Sequence, residues 1–436
     1  MMMRSSNQSL TLVVFGATGD LYQNKLSSAL FNLFSLDFLP KEFRVVGFAR
    51  RPLTDLDFRN FTRDAILSHL RYTVASQGNN SQKKLDDFLL RLKYTQGDLE
   101  NLSDFKKLSK QLAKDDEKHR KCSNKLFYLA VPPSMYGNIF QNISEVKLTI
   151  PCADETKGME EAWTRVLVEK PFGKDLEDAK SLDKLLGELF NESQIFRIDH
   201  YLGKETLQNI LFFRFTEGSL EGIWNKEHIE RVRIIFHEEN TVFNRGAFYD
   251  GLGILRDVGQ NHMLQMLALV AMENPAGMGV EKIRDARKAV LEKTILFPDK
   301  EIVRGQYQGY LSEKNVKADS QTETFFRLTL AVNDKRWQGV DFEMEAGKAL
   351  DKSEVFIEVY FKEKNKVHTF SISSNDGVIQ DAYQKVLQDC ILGDQTIFIT
   401  TAEIMAEWRV VTDIIKKWQS RPLMIYKKGS VAEDVI

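Results

Sequence analysis

The sequence predicts an α/β chain in two parts: a doubly wound parallel sheet over residues 1–198, then an α+β domain with a mostly antiparallel sheet over residues 199–436. Three observations carry this. Through the first half, short β-rich runs alternate with helix-length amphipathic segments, as in a parallel sheet covered by helices on both faces. In the second half the strand-like runs cluster and are framed by helices, as in a layered α+β fold. No repeat or low-complexity linker interrupts the 436 residues, so two large domains fit as well as the three that ~150 residues per domain would suggest.

Leu10–Phe15 is a compact apolar run of the kind a parallel sheet buries on both faces. From Asp20 to Leu36, apolar residues at Leu26, Ala29, Leu30, Leu33 and Phe34 have helical spacing. A second strand is expected over Phe43–Arg50, followed by a charged helix around Leu56–Arg71. Leu92–Thr95, Lys125–Val131, Arg165–Val168 and Ile195–Ile198 complete the predicted sheet. In the second half, Val232–Phe236 reads as a strand and Arg256–Met272 as a helix with a heavy apolar stripe. Strands are then expected over Glu323–Val332, Val340–Glu345, Val355–Phe361 and His368–Ser371. Helical patterns return over Asp381–Leu392 and Thr401–Trp418.

Composition narrows the function classes. With 43% hydrophobic residues and a net charge of −2, disorder is excluded, and nothing attracts nucleic acid or an anionic membrane. No apolar run approaches the ~18 residues of a membrane span. The polar stretch Met1–Ser9, followed only by Leu10–Phe15, does not resemble a signal peptide, so a cytoplasmic protein is expected. Cys122, Cys152 and Cys390 are too few and too scattered for a disulfide framework or a zinc site, and no metal is expected. Histidine is scarce, at seven, so each one merits inspection.

Four motifs bear chemistry. Gly16, Ala17, Thr18, Gly19, Asp20 and Leu21 follow a strand and open a helix. That is the setting of a Rossmann-type dinucleotide turn, whose backbone N–H groups meet a pyrophosphate. The spacing is not the usual G-x-G-x-x-G, and an ordinary strand-to-helix turn is the plain alternative. At the end of the second strand, Arg50 and Arg51 stand where an NAD-specific site wants an acid. Guanidinium forks suit a 2′-phosphate, which favours NADP, with two solvated arginines as the alternative. Glu169-Lys-Pro-Phe-Gly173 puts Lys170 at a strand end, within reach of a coenzyme and a substrate, or else in a structural salt bridge. The run Arg197 to Glu205 offers Asp199, His200, Tyr201 and Lys204, a cradle for phosphate or carboxylate, with a solvated helix start as the alternative. Finally, Asp257 and His262 stand five apart, about 140° around an α-helix, and so on different faces. A core histidine on the Leu255–Val270 stripe is the alternative for His262.

Together these blocks resemble the glucose-6-phosphate dehydrogenase family. The order and spacing are similar through Leu126-Phe-Tyr-Leu-Ala-Val-Pro-Pro133, Gly305-Gln-Tyr307, Arg336-Trp337, Gly347-Lys-Ala-Leu350 and Glu407-Trp-Arg409, so the likeness spans nearly the whole chain. The resemblance implies a two-domain enzyme that oxidises glucose 6-phosphate to its lactone with NADP, and a homo-oligomer, dimer or tetramer. It implies coenzyme contacts at Gly16 to Leu21, Arg50, Tyr136 and Lys170. It implies that His200, Tyr201, Lys204 and Lys348 hold the phosphate, that Glu238 and Asp257 bind sugar hydroxyls, and that Lys170 bridges substrate and coenzyme. His262 would be the general base and Asp199 its carboxylate partner. Loss of hydride from C1 needs removal of the C1 hydroxyl proton, and an ordinary imidazole titrating near ~6.5 suits that task. A carboxylate on its far nitrogen fixes the tautomer.

The chain departs from the family after Leu350. A longer stretch with another basic residue is reduced to Asp351-Lys-Ser-Glu354, which leaves Lys352 as the candidate substitute and a solvated hairpin lysine as the alternative. The segment Phe361–Ile379 is compressed and lacks an Arg-Val-Gln-Pro-like strand, so a second, structural NADP site is not carried over. Two other readings stay open: an oxidoreductase of the glucose–fructose or inositol dehydrogenase type, which lacks the His200–Glu205 block, and a non-catalytic sugar-phosphate sensor.

Overall fold

The computed structural model describes residues 9–70, 80–119, 122–152, 162–216, 220–297, 300–364, 366–372 and 382–435. Strands run in chain order as β1 (Leu10–Phe15), β2 (Phe43–Ala49), β3 (Leu92–Gln96), β4 (Asn124–Leu129), β5 (Thr164–Val168) and β6 (Ile195–Ile198). They continue as β7 (Ile229–His237), β8 (Thr294–Leu296), β9 (Val303–Tyr307), β10 (Phe325–Val332), β11 (Asp341–Gly347), β12 (Glu354–Phe361) and β13 (Val367–Ser371). The last two are β14 (Phe398–Ile399) and β15 (Leu423–Tyr426).

Two compact units form. The first takes Met1–Phe172, Ser181–His200 and Gln380–Phe398; the second takes Gly173–Lys180, Tyr201–Ile379 and Ile399–Ile436. The chain therefore does not divide once near residue 199. Residues 382–398 return to the first unit, where the helix Ala382–Leu392 covers the helix Ser27–Ser35 and Phe398 meets Phe196 edge-on at 4.8 Å.

The first unit holds a seven-stranded sheet in the order β14-β6-β5-β4-β1-β2-β3. Its core pairings from β3 to β6 are parallel. Strands β1 and β4 are buried at every residue, because helices cover both faces. Phe15, Phe48, Phe105 and Phe127 stack and tilt against one another at 5.2–6.1 Å. Each such ring contributes about 1.5–3 kcal/mol by leaving water. The strand order reverses between β1 and β4, and ligands of such sheets sit beyond the carboxyl ends at that reversal.

One expectation about this unit fails. Cys122 and Cys152 are joined in a disulfide, their Cα atoms 5.5 Å apart. Cys122 precedes β4 and Cys152 lies ahead of β5, and these strands run side by side, so their starts adjoin although the sequence separates the cysteines by 30. Cys390 is free and buried.

The second unit holds an eight-stranded sheet, β13-β12-β7-β11-β10-β9-β15, with β8 paired to β10. Five pairings are antiparallel; β7 with β11 and β9 with β15 are parallel. Val232, Ile234 and Phe236 face inward, whereas Arg231 and Arg233 alternate outward to Glu343 and Glu358. Thr400 caps the helix Thr401–Trp418 through a capping box with Glu403. On that helix, Glu403 pairs with Arg287 at 2.8 Å and Glu407 accepts from Gln260 and Gln265, so its buried carboxylates are satisfied.

The predicted helix Arg256–Met272 is resolved into two registers. Leu255–Met263 is a π-helix and Leu264–Ala271 an α-helix. Closure by i→i+5 bonds widens the turn, so residues five apart fall about one turn on from each other. The α-helical spacing that set Asp257 and His262 on different faces does not hold here. A shorter π-turn, Tyr22–Leu26, also precedes the helix Ser27–Ser35. Of the predicted helices, Leu56–Arg71 is seen as Asp55–Leu70 and Asp381–Leu392 as Ala382–Leu392; residues 71, 381 and 373–379 lie outside the described ones. Among the described residues no helix is long and apolar enough to cross a membrane, and no group of three or more His, Cys, Asp or Glu is arranged to hold a metal.

Candidate active site

In the first unit, the chain leaves β1 through Gly16, whose φ of 82° favours glycine. A Cβ at Gly16 would collide with the Ala130 carbonyl and lie 2.6 Å from Val131 Cγ1, beyond the end of β4. Gly16 N donates to Phe48 O and Gly19 N donates to Gly16 O, each at 2.9 Å, which closes the turn before the helix begins at Asp20. Ala17 is buried, Thr18, Gly19 and Leu21 are half-buried, and Asp20 is exposed. The cradle is thus bare backbone at the strand reversal, a shape that fits a pyrophosphate.

Arg50 and Arg51 extend from the end of β2 with exposed side chains. Their backbone is pinned: Tyr94 Oη donates to the Ala49 and Arg51 carbonyls at 2.9 and 2.7 Å, and Gln96 Nε2 donates to the Arg50 carbonyl at 3.2 Å. Fixed backbone with free guanidinium groups fits a 2′-phosphate.

At the end of β5, Glu169 is buried and accepts from Tyr128 Oη at 2.5 Å, while its carbonyl accepts from Tyr136 Oη at 2.9 Å. Burial pushes the Glu169 carboxyl up to about 7; the Tyr128 hydrogen bond and Lys170 pull it down, and Asp199 pushes it up. Tyr136, expected as a coenzyme contact, is fully buried, and its hydroxyl orients the strand end that carries Lys170. Lys170 itself is half-buried. Asp199 follows β6 at 1% exposure, and His200 stacks on Tyr383 at 5.7 Å. Arg197 of the same motif is structural: it pairs with Glu192 at 2.7 Å and Asp183 at 3.3 Å.

The second unit gathers the other expected residues. Lys348 bonds Glu238 closely and lies 3.7 Å from Asp257. The Tyr201 ring packs on His262 at 4.3 Å and on Phe236 at 5.3 Å, and Lys204 Nζ sits 4.6 Å from the Tyr201 ring centre. His262 is 1% exposed. Beside them opens a cavity of about 510 Å³, whose walls include Tyr201, Lys204, His237, Glu238, Ser353 and Glu354. A cavity of this size accommodates a small polar ligand. Lys352 does not line it; its ammonium pairs with Glu354 at 3.0 Å and its side chain is 59% exposed. Sequence reading missed His237, Ser353 and Glu354. For His237, the scarcity of histidine was the available signal.

Comparison with known proteins agrees over nearly the full length. The family model described as "Glucose-6-phosphate dehydrogenase, NAD binding domain" matches residues 13–209. The model described as "Glucose-6-phosphate dehydrogenase, C-terminal domain" matches residues 211–376 and 368–434. A cytoplasmic glucose-6-phosphate 1-dehydrogenase of Arabidopsis thaliana is 35% identical, over 97% of this chain and 88% of the relative. The glucose-6-phosphate 1-dehydrogenase of Chlamydia pneumoniae is 34% identical, over 93% and 89%. A solved glucose-6-phosphate dehydrogenase in complex with its substrate glucose-6-phosphate superposes with a TM-score of 0.85 at 29% identity, covering 99% of this chain and 96% of that one. The Mycobacterium avium enzyme gives a TM-score of 0.80 at 30% identity, covering 98% and 95%. With both family models matched in order and both units reproduced, the chain belongs to the glucose-6-phosphate dehydrogenase family.

Proposed function

We infer that the protein oxidises D-glucose 6-phosphate to 6-phospho-D-glucono-1,5-lactone, the entry step of the oxidative pentose phosphate pathway. The observation that carries the reading is the cavity of the second unit, where Lys204 and Tyr201 stand near Glu238 and the Lys348–Asp257 pair, with His262 packed on Tyr201. When bound, NADP supplies the acceptor for the C1 hydride. The Gly16 turn and Arg50 are the residues that would hold it, Tyr136 supports the strand end beside them, and Lys170 bridges it to the sugar.

Each side chain has a task. Lys204 brings a fixed positive charge to the phosphate, and Tyr201 and His200 add hydrogen bonds. Glu238 and Asp257, both beside Lys348, accept from sugar hydroxyls and so orient the ring. His262 takes the C1 hydroxyl proton as hydride leaves. By its motif, Asp199 is assigned as the carboxylate partner of that base. A homo-oligomer, dimer or tetramer, is carried over on the resemblance. A cytoplasmic location agrees with cytoplasmic relatives such as those of Arabidopsis thaliana and Solanum tuberosum. The Cys122–Cys152 disulfide is the feature that argues for a more oxidising compartment.

Incubation of the full chain with glucose 6-phosphate and NADP should produce NADPH, followed by its absorbance. Binding of the sugar phosphate without turnover would overturn this reading and favour a sensor. Turnover of inositol or of free glucose in preference to the phosphate would favour the other oxidoreductase class.

A further inference from the structure

Among the described residues His237 is the one imidazole on the cavity wall, and neither the motifs nor the expected ligands include it. It ends β7 and is 6% exposed. Its Nε2 lies 2.8 Å from Glu345 Oε1, and the other oxygen of Glu345 takes a close bond from Arg327. Arg327 is anchored in turn, donating to the Ala432 carbonyl at 2.9 Å. Burial pushes the Glu345 carboxyl up, but the His237 hydrogen bond and the Arg327 guanidinium outweigh it and hold the group below the usual carboxylate range. An ionised Glu345 only accepts, so Nε2 carries the proton and the ring is locked in orientation.

Nδ1 is left over. It is buried, 3.4 Å from Glu354 Oε1, without the alignment of a hydrogen bond. Glu354 also has a lysine partner, since Lys352 holds it at 3.0 Å. The lysine that the shortened loop offered for phosphate is therefore engaged at the exposed rim, whereas a locked imidazole stands on the cavity wall with Lys204 and Tyr201.

We propose that His237 is a specificity-determining residue: as the phosphate of the substrate binds, Nδ1 takes up a proton from solvent and donates it in a hydrogen bond to that phosphate, a contact that Lys352, held by Glu354, does not make. An incoming dianion takes the place of Glu354 at Nδ1, and Lys352 retains Glu354. The inference rests on the glucose 6-phosphate reading and deepens it.

Steady-state kinetics of the whole 436-residue chain with glucose 6-phosphate and with glucose test it. His237→Gln keeps a donor for Glu345 and removes the second ring nitrogen. Its KM for glucose 6-phosphate should rise about tenfold with kcat within about threefold, the loss of one charged hydrogen bond. The preference for glucose 6-phosphate over glucose should fall by about the same factor. Lys352→Ala should change that KM by less than about twofold. An unchanged KM in His237→Gln, an equal loss on both sugars, or a tenfold loss in Lys352→Ala would each overturn the proposal. If His237→Gln does not fold, Glu354→Gln decides: removal of the competing carboxylate should lower KM about threefold, and an unchanged or higher KM would refute the role. A wild-type chain that makes no NADPH from glucose 6-phosphate removes the function itself; wild-type turnover with an unaltered His237→Gln removes this inference alone.

Discussion

The first unit makes the turn proposed for the coenzyme from contiguous residues, Gly16 to Leu21, and the groups it presents are backbone amides at a strand end. The second unit lines its cavity with side chains as distant in sequence as Tyr201, His237 and Glu354, a mixture in which charged and polar groups outnumber the apolar Phe236, Val355, Phe356 and Ile372. A parallel sheet delivers its site by topology, so one local turn suffices. A mostly antiparallel sheet delivers a site only where side chains from several strands converge. Substitutions in the first unit should therefore act mainly through shape or through Arg50, and those in the second through charge and proton transfer.

The largest contrast should come from His262→Asn. Removal of a general base costs ~10²–10⁴ in rate, with a much smaller change in KM. Turnover near the wild-type level in a folded His262→Asn protein would move the base to His200 and draw the chemistry toward the first unit.

A matched pair of buried acids sharpens the comparison. Burial pushes Glu169 in the first unit and Glu323 in the second each up to about 7. Their folded-state values lie above the ordinary 4.5, so the stability each contributes is complete below pH 4.5 and is lost as pH rises through about 7. The loss is on the order of 3 kcal/mol per group. Urea unfolding from pH 4.5 to 7.5 should show a shallower decline in Glu169→Gln and in Glu323→Gln than in wild type. A wild-type slope in either variant would show that its carboxyl is already ionised in that unit.

Arg50→Ala should have the smallest effect of the three, raising the KM for NADP about ten- to a hundredfold while leaving that for NAD nearly alone. Equal losses for both coenzymes would mean that Arg50 shapes the strand end and does not read the 2′-phosphate.

Both units were legible in the sequence to different depths. Strands β1 to β6 were read within a residue or two because burial on both faces leaves continuous apolar runs. The three-residue β8, two-residue β14 and four-residue β15 are too short to carry a period. The π register of Leu255–Met263 was invisible, since the apolar stripe accommodates an α-helix equally well; with it went the relation of Asp257 to His262. The site residues came from motif resemblance, not from spacing. His237 lay outside every motif because its role depends on partners on β11 and β12. The Cys122–Cys152 pair depends in the same way on β4 and β5 being neighbours.

The return of residues 382–398 has a consequence for how the protein is made. Strand β6 borders β5 on one side and β14 on the other, so its outer edge stays uncovered until Phe398–Ile399 has left the ribosome. An unpaired parallel edge invites association with other chains, and a nascent chain near residue 200 carries one. The helix Ser27–Ser35 waits equally long for its cover from Ala382–Leu392, and His200 waits for Tyr383. A fragment ending at residue 200 would therefore be sticky and would lack the ring that supports His200, however complete its nucleotide motif looks. The first unit is therefore not a cassette of contiguous residues, since the strand that covers its edge lies about 200 residues beyond β6 in the chain.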